Sequence, residues 1–136
     1  DGELVLLVED DERVLEAAHA LIEGLGYAVL DARTGAEAME LLTDDAGVAV
    51  VLSDILMPGG MSGYDVAERV AAEHPEIGIV LASGFEGDAR VDAANVIGIR
   101  TLRKPYSRSD LAAAIRAAIE RATQYRSQAG SSRIVS

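Results

Sequence analysis

The stretch Val48-Ala49-Val50-Val51-Leu52-Ser53-Asp54 decides the fold. Its apolar part is short, rich in β-branched residues and free of polar alternation, which reads as a strand covered on both faces. It then stops on two polar residues, Ser53 and Asp54. Four more runs of this kind stand in the chain, at Leu4–Val8, Tyr27–Leu30, Ile77–Ala82 and Ile99–Leu102. Helical patterns lie between them. Repeated strand–helix alternation implies right-handed crossovers and a doubly wound α/β sheet.

The first helix carries Val14, Ala18, Leu21 and Leu25 on one stripe and stops at Gly26. The second follows Thr34 as N-cap and turns Ala38, Leu41 and Leu42 inward. The third spans about Gly63 to Glu73 and ends at His74-Pro75. A short, weakly patterned fourth covers Asp88 to Val96, and a fifth starts behind Ser109 with Leu111, Ile115 and Ile119 on its apolar face. The domain therefore runs over residues 3–124, and the polar, Ser-rich remainder, 125–136, reads as a flexible tail. A length of 136 residues suits one core of this kind. With aromatics at 4%, that core is built from Ala, Val, Leu and Ile rather than bulky anchors.

A formal charge of −11 argues against nucleic acid as a direct partner. The absence of cysteine excludes disulfide and zinc–thiolate chemistry. The apolar runs are strand-sized and no leader pattern precedes the first, so a cytoplasmic setting is expected, or the cytoplasmic side of a membrane-bound parent. The chain opens at Asp1 directly before a strand, which reads as a piece of a larger protein.

In open α/β sheets ligands bind beyond the carboxyl ends of the strands. Four of the five ends carry reactive groups: Glu9-Asp10-Asp11, Ser53-Asp54, Ser83-Gly84 and Arg103-Lys104-Pro105. Carboxylates from strands one and three would converge, and such a cluster repels itself unless a cation intervenes. Oxygen-only ligands suit Mg²⁺ or Mn²⁺. A dication, a lysine and a hydroxyl around one central carboxylate make a site for phosphoryl chemistry. Asp54 is its nucleophile, Lys104 neutralises phosphoryl oxygens, and Ser83 donates a hydrogen bond to one of them.

Taken in order, Glu9-Asp10, Asp54-Ile55-Leu56-Met57-Pro58 with Gly63, Ser83, and Lys104-Pro105 resemble a two-component receiver domain over roughly residues 3 to 122. The resemblance implies a flavodoxin-like (βα)5 sandwich with strand order 2-1-3-4-5. It implies Asp54 as phosphoacceptor, Asp10 as direct metal ligand, Glu9 as ligand directly or through water, and the Leu56 carbonyl as a further ligand. An alternative register makes Asp10 and Asp11 the acidic pair. Ser83 becomes the switch hydroxyl and Lys104 the phosphate-binding lysine. The phosphoryl donor is then a histidine kinase or histidine phosphotransfer protein. Output passes through the face formed by the fourth helix, fifth strand and fifth helix, which also admits a homodimer. The longer Pro58–Gly63 loop is similar to that of receivers at the C-terminus of hybrid sensor histidine kinases. Thr101 stands where the family has its rotating aromatic, with Phe85 and Tyr106 as substitutes for it.

Blander readings exist for each residue. A lone Asp is usually a solvated loop residue, Lys before Pro a surface charge, and Ser-Gly a turn. Their convergence on one edge of the sheet favours the chemical reading. Three rival functions are a stand-alone response regulator, a degenerate receiver acting as an interaction module, and a phosphatase of the haloacid dehalogenase type. The last needs a second Asp two residues beyond the nucleophile, where Leu56 stands. The isolated domain is not expected to act as a conventional enzyme.

Overall fold

A computed structural model describes residues 2–44, 47–57, 60–84 and 100–135, with side chains of residues 100 and 124–135 outside the description. The elements run β1 (Leu4–Val8), α1 (Glu12–Gly24), β2 (Ala28–Ala32), α2 (Gly35–Asp44), β3 (Val48–Asp54), α3 (Gly63–Glu73), β4 (Gly78–Ser83), β5 (Arg100–Arg103) and α4 (Arg108–Val135). The helix expected over Asp88 to Val96 lies outside the described residues, as does Phe85.

The five strands are all parallel, in the order β2-β1-β3-β4-β5. The alternation implied a doubly wound parallel sheet, and the order is the flavodoxin-like one that the resemblance implied. Because side chains alternate across a strand, the sheet feeds two cores. On one face Val5, Leu7, Val50, Leu52 and Val80 pack against Leu15, Ala18 and Ile22 of α1 and Leu111, Ala114, Ile115 and Ala118 of α4. On the other, Leu6, Val8 and Val51 meet Ala38, Met39 and Leu42 of α2 and Val66 and Val70 of α3. Each large side chain so buried contributes roughly 1.5–3 kcal/mol.

Helix α1 sits differently from the expected stripe. Leu15, Ala18 and Ile22 are buried, while Leu21 and Leu25 are only partly covered. The helix is apolar over two adjoining arcs, and the sheet takes the one containing Leu15. Gly26 then turns the chain with φ of 99°, a conformation other residues rarely adopt, and its amide donates to the Glu23 carbonyl. In α2 the Thr34 hydroxyl accepts from the Glu37 amide as expected.

The last helix is capped by Ser107 rather than Ser109. The Ser107 hydroxyl accepts from the Asp110 amide at 3.0 Å, and the Asp110 carboxylate accepts from the Ser107 amide at 3.3 Å. Only Ser107 has an acid three residues on to close this reciprocal pair. The same helix runs to Val135, through the polar, Ser-rich residues beyond 124. Residues 125–135 hold no proline to break the helix, while Gly130, Ser127, Ser131 and Ser132 are weak helix formers.

Candidate functional site

The register of the strands brings the reactive groups together. Val8 lies opposite Ser53, so Glu9 and Asp54 follow at adjoining strand ends. Asp54 pairs with Ala82, and Ser83 with Arg103, which sets Ser83 and Lys104 along the same edge. The Lys104 amide donates to the Ser83 carbonyl at 2.8 Å, tying these two residues through the main chain.

Asp11 is the N-cap of α1. Its Oδ1 accepts from the amides of Arg13 at 2.9 Å and Val14 at 3.3 Å. Asp11 thus serves the helix end, and the acids that gather at the strand ends are the Glu9-Asp10 pair with Asp54. Carboxylate oxygens of Glu9, Asp10 and Asp54 lie within 4.8 Å of one another. Glu9 is buried, and its Oε2 accepts from the Asp11 amide at 3.2 Å. The Lys104 ammonium reaches into this group, 2.9 Å from Glu9 Oε1 and 3.2 Å from Asp54 Oδ1.

Electrostatics follow from that crowding. Burial and the nearby Asp54 charge push the Glu9 carboxyl above its usual range, against the opposing hydrogen bonds from Lys104 and the Asp11 amide. Burial works against the Lys104 charge, but the Glu9 hydrogen bond and the charge of Asp54 outweigh it and hold the ammonium firmly protonated. Lys104 thus pairs with two of the three acids, Glu9 and Asp54. The donor set is all oxygen, with no His or Cys in it, and it is short of positive charge. It fits a hard dication such as Mg²⁺ or Mn²⁺.

The loop after Asp54 is held from below. Ile55 donates to the Ala82 carbonyl and Gly63 to the Ile55 carbonyl, both at 2.9 Å. A side chain at Gly63 would press on the Asp54 carbonyl and come within 2.7 Å of Ile55 Cα, so only glycine lets α3 begin so close to Asp54. Ser62 caps α3 in a reciprocal pair with Asp65, a Ser-x-x-Asp signature that the sequence reading passed over. Leu56 is 53% exposed, the one large apolar side chain so placed among the described residues. Ser83 is buried, Thr101 partly buried, and Tyr106 partly buried against the α1 and α4 core. Tyr106 also lines a groove of ≈570 Å³ with Val14, Ala17, Leu21 and Pro105, opening beside Lys104 and Arg13.

Fold and site together define a doubly wound α/β domain with a carboxylate cluster and a lysine at its strand ends. The family model of the response regulator receiver domain matches residues 5–116. The chain belongs to that family, and it is a receiver domain of the two-component type. It is 33% identical over 121 residues to the sensor kinase CckA of Brucella abortus, covering 86% of this chain and 12% of that protein. It is also 33% identical over 130 residues to the response regulator protein TmoT of Ectopseudomonas mendocina, covering 93% of this chain and 57% of that one. The chain thus spans no more than about half the length of most of the curated relatives it matches. Among solved structures, a receiver domain from Clostridium thermocellum superposes with a TM-score of 0.82 at 27% identity, covering 90% of this chain and 98% of that one. An adenylate cyclase structure from Rhodopirellula baltica gives 0.87 at 26% identity, covering 98% of both chains. No described helix is long and apolar enough to cross a membrane.

Proposed function

We propose that Asp54 is the phosphoacceptor of a two-component relay. The Lys104 ammonium bridging Glu9 and Asp54, with Asp10 alongside, carries this reading. In the reaction a carboxylate oxygen of Asp54 bonds to phosphorus as the bond from phosphorus to a donor imidazole nitrogen breaks, leaving the imidazole as the departing group. Lys104 moves from its carboxylate partners toward the phosphoryl oxygens, and the Ser83 hydroxyl donates to one of them. Glu9, Asp10 and Asp54, with the Leu56 carbonyl, would hold Mg²⁺ or Mn²⁺. That ion supplies charge neutralisation on the phosphoryl oxygens when bound.

A histidine kinase or histidine phosphotransfer protein supplies the phosphoryl group, since the cluster of Glu9, Asp10 and Asp54 holds no histidine of its own. The groove beside Lys104 offers that donor an apolar approach to the site. The likeness to a sensor kinase and the long loop after Asp54 support a hybrid-kinase parent. Phosphorylation would shift a conformational equilibrium reaching Thr101 and Tyr106.

The test is a beryllofluoride titration with and without magnesium, followed by Tyr106 and backbone NMR shifts. A magnesium-dependent response that vanishes in Asp54→Ala is expected. No response, or one that persists in that variant, refutes the reading. Turnover of a generic phosphomonoester would point instead to a phosphatase.

A further inference from the structure

His19 sits on α1 where that helix crosses the edge strand β2. Its Nδ1 lies 2.8 Å from Asp31 Oδ1, and Asp31 belongs to β2. Its Nε2 lies 3.4 Å from Glu23 Oε2, one turn along α1. A neutral imidazole has one N–H and one lone pair, whereas the imidazolium has two donors. Here both ring nitrogens face carboxylate oxygens. Whichever tautomer the neutral ring adopts, one lone pair must point at an anion.

We propose that His19 is a proton-held strap, fastening α1 to the sheet edge as the imidazolium and slackening when the ring loses its proton. Among the described residues, Asp31 from β2 and Glu23 from α1 are the ionisable groups facing the ring. Arg108, the cation that α4 brings to this end of α1, donates to the Gly24 carbonyl at 3.0 Å instead. The Asp31 hydrogen bond is the largest influence and raises the ring's pKa, burial works against it, and the charges of Asp31 and Glu23 add to the rise. Because the folded-state value lies above the unfolded one, the strap contributes in full below about pH 6.5. Its contribution is lost as pH climbs through the higher folded-state value. The ring is 30% exposed, so screening by solvent keeps the effect small, a graded adjustment of the β2 edge near neutral pH.

The experiment is an NMR titration of the ring protons in the whole chain, with His74→Gln to assign the two histidines. It is paired with urea midpoints measured on either side of the His19 titration. His19 should titrate above about 6.5 and fall back toward that value in Asp31→Asn. The wild-type urea midpoint should drop more across that pH interval than the midpoint of His19→Gln. A His19 titration at or below the ordinary value, one unmoved by Asp31→Asn, or identical pH dependence in wild type and His19→Gln overturns the proposal.

Discussion

Replacing Asp10 with Asn should stabilise the metal-free domain. The capping hydrogen bonds at the start of α1 belong to Asp11, so this change removes a charge without removing a cap. Asp10 stands within 4.8 Å of both Glu9 and Asp54, oxygen to oxygen. One like-charge pair at that separation costs about 0.9 kcal/mol at the dielectric constant of water and about 3.5 kcal/mol at an effective value of 20. Asp10 is exposed, which places its two pairs near the lower figure, and Lys104 offsets part of the repulsion. A gain of roughly 0.5–1.5 kcal/mol remains. Urea unfolding in excess chelator measures it directly. Excess magnesium should then raise the wild-type midpoint and move that of the variant much less, narrowing or reversing the order of the two. If Asp10→Asn is neutral or destabilising in chelator, the three acids do not strain one another as the distances imply. A cation site there then has no electrostatic basis.

Two further outcomes follow from the loop that leaves Asp54. Gly63→Ala should cost about 1–3 kcal/mol in urea unfolding, because the added carbon meets main chain that cannot step aside. A change below about 0.5 kcal/mol would show that α3 can retreat from Asp54. Leu56→Asn should shorten the lifetime of the phosphorylated domain by roughly 3–10-fold, since an exposed apolar side chain two residues beyond Asp54 cannot orient an attacking water and an amide can. An unchanged decay of labelled phosphoprotein would remove Leu56 from that role.

The strands were legible because each is a short apolar run ending in polar residues. The observed bounds lie within a residue or two of those runs, reaching further toward the carboxyl end in all but β1. Tyr27 lies outside β2, for example, while Asp31 and Ala32 extend it. The packing face of α1 was not legible, since Val14 and Leu21 are as apolar as Leu15 and Ile22. Only the sheet and the neighbouring helix α4, which share that core, decide which pair goes under. Whether Glu9 or Asp11 stands beside Asp10 in the cluster was not legible. Asp11 is turned to the Arg13 and Val14 amides while Glu9 lies with Asp10 and Asp54, and a run of three acids carries no such information. By contrast the caps at Ser62 and Ser107 were both written as Ser-x-x-Asp and could have been read. At the site, residue types announced the chemistry. The bridging position of Lys104 depends on strand register and had to await the fold.

The hydrogen bonds beneath the carboxylates have a consequence of their own. Gly63 holds Ile55, Ile55 holds Ala82, and the next residue along β4, Ser83, holds Lys104. These links form a seam across three strand ends, so slack introduced at one stitch is shared by the others. Amide hydrogen exchange at Ile55, Gly63 and Lys104 should therefore slow or quicken together when the charge above the seam changes. The floor of the pocket would then report its occupancy as a unit, whichever side chain was disturbed.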